Sequence, residues 1–291
     1  MSGSADLLQR ALRIWEWEPS ILIGLFLWQA AYVWLTSRRP GKAPWHSVSL
    51  FRKILFSVGT LLAFLALVSP IDYISDHYLF SVHMLQHLLL IMVAPPFWLL
   101  GLPDNLLDEI GLPGPVKTFA RWITHPVAAF LIFNSVLLIW HAPNFYEAAL
   151  ENNNLHILEH LMFMAVAIIG WWPLFGCSRQ VAPRLSLPLQ VLYMFLMMFP
   201  TTFLGALITL DPTPWIPFYM HAPRLWELAA SPGQAVTTFG QTANGWGLSV
   251  MDDQQAAGLL MWVPGNMIFM ATGLISLFKW FQDMERKDGR I

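Results

Sequence analysis

Cysteine and charged residues are both scarce in this sequence. One of its 291 residues is a cysteine, Cys177, which excludes a disulfide scaffold, a CxxC redox pair and a cysteine-rich zinc module. Charged residues make up 12%, about half the share of a soluble globular chain. The net charge of −2 gives no basic field that would bind nucleic acid. We therefore expect neither a soluble domain nor a nucleic-acid partner.

Long apolar segments take the place of the missing charge. Hydrophobic residues make up 56% and fall into blocks of about 20 residues, the length of helix that crosses a lipid bilayer. We predict an all-α integral membrane protein, one polytopic domain over residues 1–291 with a bundle of seven transmembrane helices. The predicted spans are residues 20–35, 54–69, 78–100, 122–141, 155–175, 187–210 and 256–278.

The basic residues predict the orientation of this bundle. Of 16 lysines and arginines, all but Arg10, Arg13 and Arg224 fall in connections on one side of the predicted membrane. Basic residues accumulate in cytoplasmic connections, so we predict that the N-terminus is outside and the C-terminus is cytoplasmic. The long connection 211–255 is then an outer loop, in which we predict a short helix at Arg224–Ala230.

Histidines concentrate on the outer side of this topology. His83 and His87 lie four residues apart in span three, and so do His156 and His160 in span five; His141 ends span four. Helical residues at this spacing share one face, which lets two imidazoles reach one ion of copper, zinc, iron or nickel. The alternative is that these histidines only hydrogen-bond neighbouring helices.

Two other functions use the same residues. Histidines from facing helices could ligate a haem iron, which would make the chain a membrane cytochrome or redox protein. The segment His156-Ile-Leu-Glu159-His160 also has the HxxEH pattern of a zinc hydrolase, with Glu227 as a candidate third ligand. A simpler interpretation of Glu159 is a favourable interaction with the positive end of its helix.

Several segments together resemble a known family. They are Ser81–Pro96, Leu100–Pro103, Trp140–Pro143 with Phe145–Tyr146, His156–His160 and Asp253–Trp262. On these segments the chain resembles the multi-spanning CtaG family of cytochrome c oxidase assembly factors, from span two to span seven.

The resemblance implies a non-enzymatic factor in the bacterial cytoplasmic membrane that helps to mature a haem-copper oxidase. Its expected cargo is copper, taken from a periplasmic donor and passed to the catalytic subunit of the oxidase. The implied copper ligands are His83, His87, His141, His156 and His160. We further expect Asp76, Glu159 or Asp253 to orient the imidazoles, and Met220–His221 in the outer loop to act as a gate.

Overall fold

The computed structural model describes residues 12–37, 48–179, 183–221, 249–287 and 289. Every regular element in these ranges is a helix, which confirms the all-α prediction for this part of the chain. The predicted helix at Arg224–Ala230, and Glu227 within it, lie outside the described residues.

The helices run as follows in chain order: α1 (Pro19–Thr36), α2 (Leu50–Val68), α3 (Pro70–His77), α4 (Phe80–His87), a π-helix (Leu88–Val93), α5 (Ala94–Gly101), α6 (Leu106–Ile110), α7 (Gly114–Ile123), α8 (Pro126–Trp140), α9 (Pro143–Glu151), α10 (Asn153–Phe175), α11 (Leu187–Leu210), α12 (Phe218–His221) and α13 (Val250–Lys287).

Six helical segments within the described ranges are each long and apolar enough to cross a membrane. They are α1, α2, the continuous stretch Phe80–Gly101, α10, α11 and α13, and they coincide with six of the seven predicted spans. The chain is therefore a multi-pass membrane protein. Helix α13 has 38 residues and is about 57 Å long at 1.5 Å per residue, so it extends beyond the predicted span 256–278. The orientation of the termini remains a prediction.

The predicted span over residues 122–141 is broken near its start. The structure has two helices here, α7 and α8, bent by 69° relative to each other. Pro126 begins α8; it has no backbone N–H, and its ring disfavours helical backbone at His125. Trp122, predicted to start the span, is 62% exposed on α7. Helix α8 alone is about 22 Å long, so a seventh candidate span exists only if the bent pair counts as one.

Span three changes its helical geometry in the middle. Pro95 begins the break because it cannot donate the α-helical hydrogen bond to the Ile91 carbonyl. The backbone widens instead into the π-helix, which ends with Ala94 N donating to Leu89 O. The Ile91 carbonyl accepts a hydrogen bond from Trp171 Nε1 of α10 at 3.1 Å. The freed carbonyl is thus satisfied by a neighbouring helix, as the membrane interior requires.

Helices α11 and α13 approach each other closely at two glycines. A Cβ atom at Gly258 would lie 2.7 Å from both the Gly205 carbonyl oxygen and the Thr209 amide nitrogen. Small residues permit such contacts between backbones in membrane helices. This contact fixes the first turns of α13, which carry Asp253, beside the start of α4.

We predict that Gly258→Ala lowers the stability of the folded protein by about 1–3 kcal/mol, because the added methyl group overpacks the α11–α13 contact. The matched control is Gly24→Ala in α1, where a Cβ atom would meet nothing within 4 Å and alanine should gain up to about 1 kcal/mol. Thermal unfolding in detergent measures both. Equal melting temperatures for the two variants would contradict this account of the packing.

Candidate metal centre

The five histidines singled out in the sequence lie together at one end of the bundle. His83 and His87 come from α4, His156 and His160 from α10, and His141 follows directly after α8. Each is between 1% and 7% exposed. The ring centroids of His83 and His156 are 5.4 Å apart, and those of His87 lie 5.5 Å from both His160 and His141. We call these five residues the histidine cluster.

The closest contact in the cluster is between the two histidines of α4. His83 Nε2 and His87 Nε2 are 2.9 Å apart, so one ring nitrogen donates a hydrogen bond to the other. Two nitrogens bound at adjacent positions of one ion, each roughly 2.0–2.1 Å from it, lie roughly 2.9–3.3 Å apart. The observed separation therefore suits a shared ion without movement of the backbone.

Within the described residues, two groups of three side chains could each hold a metal ion. One consists of His83, His156 and His160, and the other of His83, His87 and Glu159; the ligand atoms in each lie within 4.8 Å of one another. His83 belongs to both groups, which makes it the centre of the cluster. His141 belongs to neither; its Nδ1 lies 2.8 Å from the Leu137 carbonyl, which leaves its Nε2 for another partner.

Four atoms of the histidine cluster and the neighbouring Glu159 that could bind a metal have no hydrogen-bond partner in the part of the chain that the structure describes. They are His87 Nδ1, His156 Nε2, His160 Nε2 and Glu159 Oε1. A buried polar atom left without a partner costs about 1–3 kcal/mol, and native proteins contain few of them. Four such atoms in one cluster are the pattern expected of ligands.

Asp76 lies beside the histidine cluster and is partly exposed. Its carboxylate lies 3.2 Å from His156 Nδ1 and 3.9 Å from His83 Nδ1, and its side chain is 24% exposed. A carboxylate on the second ring nitrogen fixes the orientation of a ligating imidazole. Asp76 therefore has the position that the sequence predicted for an orienting residue.

Glu159 does not fit the helix-terminus interpretation. It is the seventh residue of α10 and 1% exposed, whereas the dipole effect is confined to the first turn. Its Oε1 lies 3.9 Å from His87 Nε2. Glu159 is thus one of the candidate ligands and not a separate base beside them, which weakens the hydrolase interpretation.

Asp253 acts on the helix that carries two of the histidines. Its carboxylate accepts hydrogen bonds from Phe80 N at 2.9 Å, Ser81 N at 3.0 Å and Ser81 Oγ at 2.6 Å. Phe80 and Ser81 form the first turn of α4, whose N–H groups have no partner inside the helix. Asp253 therefore caps α4 from α13 and fixes its position, which is a different means of orienting His83 from the predicted contact with a ring.

Gln86 ties α4 to the two helices that precede it. Its Nε2 donates to the Ala66 carbonyl at 3.0 Å and to Asp72 Oδ1 at 2.5 Å, which ties α4 to α2 and α3. Burial, and next the charge of Asp76, raise the pKa of Asp72 to about 8. Of the two carboxyl groups, Asp72 bonds to Gln86 and Asp76 contacts the histidine rings.

Two tyrosines that were not predicted as site residues contact the histidine cluster. Tyr219 Oη donates to the Ser75 carbonyl at 2.7 Å and lies 3.2 Å from His83 Nδ1. The Tyr146 ring is 4.9 Å from the His83 ring. Burial holds the pKa of both phenols well above its ordinary value, so both hydroxyls stay neutral. Tyr146 is one of the residues on which the family resemblance rests, and that resemblance was the signal that could have indicated it.

The predicted gate, Met220–His221, directly follows Tyr219 in the chain. Met220 is 49% exposed and His221 is exposed as well, while Tyr219 points inward and is 2% exposed. The segment before them is held by Gln254, which accepts from Trp215 N at 2.5 Å and donates to the Thr213 carbonyl at 3.0 Å. Helix α12 is thus tied to α3 and to His83 through Tyr219.

Comparison with known proteins identifies the family. The model of the cytochrome c oxidase caa3 assembly factor family matches residues 30–283. An uncharacterized protein of Mycobacterium bovis and one of Mycobacterium tuberculosis are each 25% identical over 164 residues. These matches cover 51% of this chain and 25% of each relative, so the chain spans about a quarter of the length of these two proteins. No solved structure matches.

We predict that Asp253→Ala destabilises the fold by about 1–2 kcal/mol, the usual effect of losing a helix cap. It should also speed amide hydrogen exchange in the first turn of α4. The control is Asp252→Ala, which removes the hydrogen bond that Asp252 Oδ2 accepts from Ser249 N just before α13 and leaves the α4 cap intact. If exchange at Phe80 and Ser81 is the same in both variants, Asp253 does not position α4.

Proposed function

Because the chain belongs to the family of cytochrome c oxidase caa3 assembly factors, we propose that it binds copper in the histidine cluster and delivers it to the catalytic subunit of the oxidase. The protein acts in the bacterial cytoplasmic membrane, with the cluster in the outer leaflet. It performs no catalysis of its own; copper is its cargo and moves by ligand exchange from a periplasmic donor.

The observation that carries this proposal is the set of buried ligand atoms without partners. Three imidazole nitrogens and one carboxylate oxygen are held in the interior of a membrane protein in this state, where ionisable groups are costly and usually functional. Ion binding in the cluster would give His156 Nε2, His160 Nε2 and Glu159 Oε1 the partners that they lack. A purely structural role would instead favour histidines whose two ring nitrogens are both hydrogen-bonded to neighbouring helices.

Copper is favoured over other ions by the family and by the ligand chemistry together. Imidazole suits copper, zinc, iron and nickel alike, so the histidines alone do not choose. The family serves an oxidase, and the resemblance drawn from the sequence is to factors that mature a haem-copper centre. Asp76 gives the ion a carboxylate at the outer end of the cluster, from which ligand exchange can pass it inward to His156 and His83.

A small ion fits this cluster better than haem does. The rings of neighbouring histidines are 4.2 to 6.2 Å apart between centroids, which is direct contact. A macrocycle ligated between facing histidines would have to separate them. The visible absorption spectrum of purified protein distinguishes the two: an intense Soret band would support the cytochrome and contradict the copper carrier.

We predict that the wild type retains copper after purification and that His83→Ala/His87→Ala loses most of it, because the double variant removes the shared ligand and its neighbour. The control is His77→Ala: His77 is exposed and makes its ring contact with the Tyr73 carbonyl outside the cluster. Elemental analysis per mole of protein is the measurement, with melting temperatures to verify folding. Equal copper in all three proteins would refute the assigned ligands.

We also predict that Tyr219→Phe releases copper to a chelator roughly three- to tenfold faster. The change removes the hydrogen bond that anchors α12 to the Ser75 carbonyl, an interaction of about 0.5–1.5 kcal/mol. Met220→Leu, at the exposed neighbouring position, is the control and should release copper at the wild-type rate. Stopped-flow mixing of copper-loaded protein with a colorimetric chelator gives the rates. Identical rates for Tyr219→Phe and wild type would mean that α12 does not slow the release of copper.

A further inference from the structure

A second group of side chains that could bind a metal lies beside His87. A cavity of about 20 Å³ is lined there by Met84, His87, Met92, His141 and Met261, together with apolar side chains. This volume holds one body the size of a water molecule. We call it the methionine cavity. Its ligating residues come from three separate stretches of the fold: α4 and the π-helix, the end of α8, and α13.

His87 belongs to both the histidine cluster and the methionine cavity. Its Nε2 faces His83 Nε2 at 2.9 Å, whereas its Nδ1 is buried and has no partner among the described residues. In His141 the two nitrogens are reversed: its Nδ1 contacts the Leu137 carbonyl, and its Nε2 is left for an ion. An imidazole that presents one nitrogen to each of two sites is the arrangement expected between neighbouring ion sites.

The π-helix places Met92 in this group. In an α-helix, residue i+5 lies about 140° around the axis from residue i, so Met92 would face away from His87. A π turn closes on i→i+5 bonds and reduces that angle to roughly 50°. The widening that Pro95 causes therefore turns the Met92 thioether toward His87. Such π turns inside α-helices are frequent at functional sites.

Methionines in a membrane protein are usually flexible core filler, and this chain has 14 of them. Met194 of α11 is an example, since it is 1% exposed and packs near Gly273. The methionine cavity differs in two respects. Three thioethers meet two imidazoles at one small cavity, and one of these imidazoles has a buried nitrogen without a partner.

We propose that the methionine cavity is a second ion site, selective for Cu(I), to which the histidine cluster passes its ion. This proposal rests on the proposed function. Thioether ligands select Cu(I), and a mixed thioether–imidazole site discriminates against zinc and other divalent ions that the histidines alone would accept. The ion remains Cu(I) throughout: His87 Nδ1, His141 and the thioether of Met92 or Met261 replace His83, His156 and His160 as ligands, and no electron is transferred.

The test uses the full chain in detergent, loaded anaerobically with Cu(I) from a buffering chelator. We expect two Cu(I) ions per wild-type protein and sulfur scattering in the copper X-ray absorption spectrum. Met92→Leu/Met261→Leu, a swap that conserves volume, should lose the sulfur scattering and bind the second ion at least tenfold more weakly. Met194→Leu, which changes a buried methionine outside the cavity, should match the wild type.

Each other outcome is decisive. Wild-type protein whose copper shows only nitrogen and oxygen ligands would overturn the Cu(I) site while leaving the histidine site standing. Unchanged sulfur scattering in Met92→Leu/Met261→Leu would also overturn it, because the sulfur would come from elsewhere. Wild-type protein that binds no copper at all would refute the proposed function and this inference with it. The spectrum of the wild type alone decides the first case, whether or not the double variant folds.

Discussion

The structure depends on one constraint: several imidazoles and a carboxylate must stay buried in a membrane protein while their ligand atoms remain unpaired. Such groups are costly in a medium of low polarity, so the surrounding fold has to hold them in place. Asp253 fixes the start of α4 through its backbone N–H groups, and Gln86 fixes its far side. The supporting polar residues are themselves well paired. The unpaired atoms are therefore concentrated where an ion could use them.

The arrangement of helices follows from the same requirement. The contact between α11 and α13 at Gly205 and Gly258 brings the first turns of α13 against α4. The π-helix after His87 results from Pro95 and is stabilised by Trp171. These features place His87 at both the histidine cluster and the methionine cavity. This arrangement agrees with the proposed path, in which an ion enters near Asp76 and moves past His87 to the thioethers.

Part of this could be predicted from the sequence. Hydropathy located six spans because continuous apolar blocks have few other solutions, and the spacing of four residues placed the imidazoles of each pair on one face. The break before Pro126 was missed because hydropathy does not register backbone donors. Tyr219 was missed because it lies 136 residues from His83 in the chain, a pairing that no local pattern encodes. The role of Met92 depends on a π-helix, which periodicity rules for α-helices do not anticipate.

The central claim is that copper occupies the histidine cluster, and its position tests this most directly. Crystals of protein loaded with one equivalent of copper would be measured on both sides of the copper absorption edge. The account predicts an anomalous difference peak at coordination distance from His83 and from at least one further member of the cluster or Glu159. A peak only at His77 or another exposed residue, or no peak in the cluster at full loading, would contradict it.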